Sequence, residues 1–201
     1  MIDGFFLVFF PGQFLKQVSS QLLHLSLRQS HCRIKHGYFI DEGKGVRFKL
    51  PPHSHVDGLH ATVDMAWEQA SPVFSTGLFK VSYTKLATDA TAALREAAER
   101  TVRDFTGFKD LEVKVLSKDQ PRTMPYGVGS RVVFSKRYVD GEVSGQWETL
   151  DIRYIVKGSF LIEAMYGNET SKYQALNQRE LDRIFKELFI SFTQDFSGST
   201  T

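Results

Sequence analysis

RVVFSKRYVDGEVSGQWETLDIRYIVKGSFLIEAMY, residues 131–166, decides how the chain is read. Arg131 to Val139 reads as a strand. Asp140-Gly141 after it is a two-residue hairpin signal, because a primed turn needs residues that tolerate positive φ. Trp147 to Val156 is the longest strand, with Leu150, Ile152, Tyr154 and Val156 on one face under the two-residue period of a pleated chain. Lys157-Gly158 makes a second tight turn, and Ser159 to Tyr166 returns. Strands joined by such short turns run antiparallel, so the segment is a β-meander.

Upstream of the meander, Leu111 to Leu116 alternates apolar and polar residues as a strand does. The stretch from Ser117 to Ser130, with Pro121, Pro125, Gly127 and Gly129, reads as a loop. Leu94, Ala97, Ala98, Thr101, Val102 and Phe105 recur at helical spacing after a cap at Thr88 or Asp89, and Gly107 ends the helix. Earlier still, Val46 to Leu50, Leu59 to Trp67 and Gly77 to Leu86 read as strands, with a polar loop from Pro51-Pro52 through Gly58. Downstream, Asn177 to Glu180 has the form of a capping box, and Leu181, Ile184, Phe185 and Leu188 form an apolar stripe behind it. Phe189 to Phe192 reads as a brief final strand. The sum is one α+β domain: a curved, mostly antiparallel sheet of about six or seven strands with two amphipathic helices.

The 201 residues are 42% hydrophobic and include 17 Phe, enough for a sizeable core. A net charge of +2, without a Lys or Arg run, gives no electrostatic footprint for nucleic acid. The single cysteine, Cys32, excludes an internal disulfide framework, and His31 and His36 beside it in sequence do not make a catalytic dyad. Residues 1–37 read as an N-terminal extension, 38–193 as the domain and 194–201 as a disordered tail. The apolar run GFFLVFF at residues 4–10 is too short to span a bilayer. Asp3 precedes it where a secretory signal wants basic charge. Phe14, Leu15, Val18, Leu22 and Leu25 then follow at helical spacing. The N-terminal stretch is therefore expected to be a peripheral helix, an extension from an upstream start codon, or an export or membrane-surface segment associating through residues 4–27, and the expected location is the cytoplasm or the bacterial envelope.

Two constellations qualify as sites. His53, His55, Asp57 and His60 carry ligand chemistry suited to zinc or nickel. The set resembles the H-x-H-x-D-H motif of metallo-β-lactamase-like hydrolases, but Gly58 stands where the third histidine belongs, and no histidine follows His60. What remains is a shallow metal site in a small metal-dependent enzyme, set against a solvated loop. Phe134, Tyr138, Trp147, Tyr154 and Phe160 are dense along the meander. They either pack a core beneath the helices or line an open sheet face that takes an apolar partner. Gly127-x-Gly129 lacks the third glycine and the helix of a nucleotide fingerprint. Asn168-Glu169-Thr170 has the form of a glycosylation sequon.

Three local phrases carry a family likeness: Gly45-Val46-Arg47-Phe48-Lys49-Leu50-Pro51, Trp147 through Tyr154 with the tight turn into Phe160-Leu161-Ile162-Glu163, and the closing helix ending Leu188-Phe189-Ile190-Ser191-Phe192. In the order of its elements, residues 38–192 resemble the PsbP-like and DcrB-like superfamily. That resemblance implies the α+β fold and a non-enzymatic role, since members include photosystem accessory proteins, bacterial envelope proteins and chaperones that shield apolar segments of secreted effectors. It carries over no functional residue. The expectation is an accessory protein without a cofactor, using an apolar sheet face to hold a protein partner.

Overall fold

The computed structural model describes residues 32–51, 54–57, 62–67, 77–139 and 145–194. Residues 4–27, and the tail beyond Gln194, lie outside these. His36 and Gly37 both take positive φ, 51° and 75°, the backbone of a type I′ loop. This loop joins β1 (Cys32–Lys35) to β2 (Tyr38–Asp41), and β3 (Val46–Lys49) completes a three-stranded antiparallel sheet. The sheet therefore begins at Cys32, inside the stretch read as an extension. The signal overlooked was His36-Gly37, a residue pair suited to a two-residue turn.

A larger antiparallel sheet holds β4 (Ser54–Asp57), β5 (Thr62–Trp67) and β6 (Gly77–Lys85). The chain then crosses in α1 (Ala90–Thr106) to the far edge at β7 (Leu111–Lys118). It returns through β8 (Arg122–Met124), β9 (Gly127–Tyr138), β10 (Glu148–Lys157) and β11 (Phe160–Glu169), which lies beside β6. The strand order is β4-β5-β6-β11-β10-β9-β7, with β8 against the first part of β9. Two helices close the described chain, α2 (Thr170–Gln174) and α3 (Gln178–Ser191). The α+β class and the antiparallel meander stand as expected.

Several details differ. The stretch from Ser117 to Ser130 is mostly strand: Pro121 and Pro125 sit at the ends of short β8, where no ladder bond is demanded of them. Ser54–Asp57 is strand where a polar loop was expected. Phe189 to Ser191 continue α3 and Phe192 caps it in an extended conformation, because Phe189 extends the apolar stripe of Phe185 and Leu188. The β9–β10 register places Lys136 opposite Glu148, which needs a longer connection than a two-residue turn at Asp140-Gly141; residues 140–144 lie outside the described ones. Lys157 pairs with Phe160, so the next turn is Gly158-Ser159, with Gly158 at φ 60°. Asp89 caps α1 by accepting from the Thr91 and Ala92 amides. Asn177 caps α3 through the Arg179 amide, but Glu180 pairs with Arg183 and does not complete the box.

Alternation along β9 to β11 feeds both faces of the sheet. Val132, Phe134, Leu150, Ile152, Tyr154 and Val156 pack under Leu94, Ala97 and Ala98 of α1. Phe79, Tyr83, Ile162 and Tyr166 pack under Leu181, Phe185, Leu188 and Phe189 of α3, together with Phe39 and Phe48 of the small sheet. The layers are helix, sheet, then helix with small sheet. Two contacts anchor the end of α3. Lys157 Nζ donates to the carbonyls of Phe189 and Ile190, at 2.9 and 2.7 Å, where the last turn has no amides to offer them. Arg47 and Thr193 exchange backbone hydrogen bonds of 2.9 and 2.7 Å.

Candidate interaction site

At the β7 end of the large sheet, Glu112 stands opposite Arg137, so their side chains share a face. Arg137 Nε donates to Glu112 Oε2 at 2.6 Å, and Lys114 Nζ lies 3.6 Å from Oε1. The hydrogen bond from Arg137, with the charge of Lys114, holds the Glu112 carboxyl below the usual carboxylate range. Both cations also cover Trp147: Lys114 Nζ is 4.2 Å and the Arg137 guanidinium carbon 5.0 Å from a ring centroid. Trp147 is half-buried by them. On the opposite face Tyr138 stands across from Leu111, with Lys136 Nζ 5.2 Å from its ring centroid. Burial, with Glu148 nearby, pushes the Tyr138 hydroxyl up.

Apolar side chains border this end. Phe108, Val115, Leu116 and Val139 are 48%, 45%, 57% and 55% exposed. They are four of the six large exposed apolar side chains among the described residues; Ile34 and Ile190 lie on β1 and α3. The ladder register shifts between Val115 and Ser117, a bulge that breaks the alternation and leaves the consecutive pair Val115-Leu116 in solvent. Sequence reasoning missed this rim. Its signal was that pair of adjacent apolar residues in an otherwise alternating strand.

Of the five aromatics expected on an open face, three belong to the core. Phe134 packs 4.4 Å, centroid to centroid, from Phe105 of α1. Tyr154 is buried, and its hydroxyl lies 2.6 Å from Thr101 Oγ1; burial raises its pKa strongly. Phe160 is buried against Tyr83 and Phe192, 6.3 and 5.9 Å away. These three do not line an open face, because each face of the meander carries a helix. Tyr138 and Trp147 do reach the surface, at the β7 end.

The α3-side face also buries a charge. Asp151 has no solvent exposure and accepts from Arg131 at 2.9 and 2.8 Å, from Arg153 at 3.2 and 3.0 Å and from the Tyr173 hydroxyl at 3.2 Å. Burial would raise its pKa, and the two guanidiniums outweigh that and hold it down. Arg153 also meets Asp182 of α3 at 2.7 Å and lies over the Phe185 ring. This network joins α2 and α3 to the sheet.

Of the metal candidates, His53 and His60 lie outside the described residues. His55 and Asp57 are on β4, opposite Ala66 and Asp64. Elemental analysis of purified protein tests the metal reading: zinc present at one per chain and lost on His55→Ala would establish it, and no stoichiometric zinc would exclude it. In the sequon, Asn168 is buried, its Nδ2 donating to the Tyr166 hydroxyl at 2.9 Å and its Oδ1 accepting from the Glu169 amide at 2.8 Å. Among the described residues, no helix is long and apolar enough to cross a membrane.

No protein-family model matches the chain, and no curated protein matches it. Solved structures do match. The chain is 12% identical to the Saccharomyces cerevisiae Ran-binding protein Mog1p, covering 83% of this chain and 97% of that one, with a TM-score of 0.54. A point mutant of Mog1 aligns equally well, at 12% identity, 82% and 98% coverage and a TM-score of 0.54. Cyanobacterial PsbP from Synechocystis sp. PCC 6803 aligns at 12% identity over 84% of this chain and 95% of its own, with a TM-score of 0.43. A PsbP structure is thus among those the chain matches, and the sheet with its helices has the α+β fold of Mog1p.

Proposed function

We propose that the chain is a non-enzymatic accessory protein that holds a protein partner, and that it does so through the β7 end of the sheet. The observation that carries this is that Phe108, Val115, Leu116 and Val139 are exposed on β7 or at its ends, on the strand edge that also carries Glu112 of the Trp147–Arg137–Glu112 cluster. Exposed apolar side chains rimmed by charge are the usual form of an interaction surface. Mog1p, a protein of the same fold, is a Ran-binding protein, which supports a protein as the partner class. A DcrB-like kinship with an envelope role is the narrower form of the same reading.

In-cell crosslinking tests it. A partner crosslinked to the wild type is expected on Ile34→Lys, whose exposed site lies on β1, and not on the double variant Phe108→Lys, Val139→Lys. Equal recovery on all three proteins would reject this end of the sheet as the binding surface.

A further inference from the structure

Among the described residues, β7 has β9 on one side and no strand on the other. The 3.0 Å hydrogen bond from the Val139 amide to the Asp110 carbonyl fixes the parity of its backbone. Asp110, Glu112 and Lys114 turn their N–H and C=O groups toward β9, and Leu111, Val113 and Val115 turn theirs outward. The outer edge therefore offers the Leu111 carbonyl and both groups of Val113 and Val115. The Leu111 amide is occupied by the Phe108 carbonyl.

This edge is complementary to itself. We propose that two copies of the chain pair β7 against β7, antiparallel about a two-fold axis, with Val113 opposite Val113. The axis falls on a residue whose backbone groups point outward, so the two Val113 residues exchange N–H···O=C bonds directly. Leu111 then stands opposite Val115 of the second copy, and Glu112 opposite Lys114. Symmetry repeats both pairs, as an isologous interface requires. Lysines and a bulge commonly keep sheet edges apart. Here Lys114 meets a glutamate, and the bulge lies beyond the stretch Leu111 to Val115 that pairs. The exposed Phe108 and Leu116 fall at the two ends of that stretch and come together across the axis. The paired sheets place the two Trp147–Arg137 clusters on the same face of one continuous sheet. The inference rests on reading the β7 end as an interaction surface, and it names a second copy as the occupant of the strand edge.

Light scattering coupled to gel filtration, on the purified full chain over a concentration series, tests it. The wild type is expected to dimerise. Val113→Pro is expected to be monomeric with an unchanged far-UV spectrum, since the amide it removes bonds nothing in β9. Glu112→Lys sets like charges opposite one another and is expected to weaken the dimer about tenfold. Adding Lys114→Glu restores it. A wild type monomeric throughout overturns the pairing, as does a dimer indifferent to the charge series; that series decides the matter if Val113→Pro fails to fold. Only one kind of chain is present, so a monomeric result leaves the crosslinking through Phe108 and Val139 to be judged separately.

Discussion

Asp151→Ala lowers the stability of the domain by about 3–5 kcal/mol, the cost of removing one side of a buried ion pair. The cost is high because two guanidiniums depend on this carboxylate. Arg131 and Arg153 each give it two hydrogen bonds, and without it they face each other across the space left between β9 and β10. Asp182 reaches Arg153 alone of the two. Tyr173 loses an acceptor as well; its own hydroxyl, pushed up to about 12 by burial and then by Asp151, remains a donor at any ordinary pH. Urea unfolding followed by Trp fluorescence measures the loss. A change below about 1 kcal/mol, the size of an ordinary substitution, would show that the network is not structural. The pH dependence has a definite sign. The folded carboxyl titrates below the unfolded value of about 3.9, so its contribution is complete above that pH. It is lost as pH falls through the lower, folded value. Wild type and Asp151→Ala therefore converge in acid, the wild type falling more steeply.

Phe192→Ala has an effect of similar size, about 3–5 kcal/mol for a large buried ring. Phe192 lies 6.2 Å from Phe48, 6.1 Å from Tyr83 and 5.9 Å from Phe160, centroid to centroid. Phe48 belongs to the small sheet, and Tyr83 and Phe160 to the large one. The ring joins the two sheets, next to the Arg47–Thr193 bridge. Its loss releases β2 and β3 before the meander. Amide exchange in Tyr38–Asp41 and Val46–Lys49 should accelerate more than in Glu148–Lys157. Uniform acceleration would mean that the small sheet has no separate dependence on Phe192.

The meander was legible because its residues obey one period over a long stretch: Leu150, Ile152, Tyr154 and Val156 face α1 as the alternation requires. The caps at Asp89 and Asn177 were legible because a side-chain acceptor at a helix start acts locally. The site was less legible. Phe134, Tyr154 and Phe160 are apolar and strand-borne whether a helix covers them or not, and coverage depends on where α1 and α3 come to rest. That is long-range information. Trp147 and Tyr138 stay near the surface because they lie toward the strand ends, where the large side chains nearby are cations and not helix residues. The Asp151 network was invisible for a related reason: Arg131, Arg153 and Tyr173 are spread over three elements, and in sequence each reads as a solvent-facing residue of its own strand or helix.

The placement of β11 beside β6 has a consequence for how the chain comes to be folded at all. Leu78 pairs with Gly167 and Lys85 with Phe160, so the middle of the sheet is a seam between segments made far apart in time. Arg47 likewise waits for Thr193. During synthesis, β4 to β6 emerge with no partner for the inner edge of β6, and α1 emerges before the strands it will cover. Contacts of such long sequence separation place the domain among slow folders, since the loop entropy is lost before the contacts repay it. Nascent chains arrested before β11 should be open to protease, and resistance should come late and in one step, once α3 has cleared the ribosome.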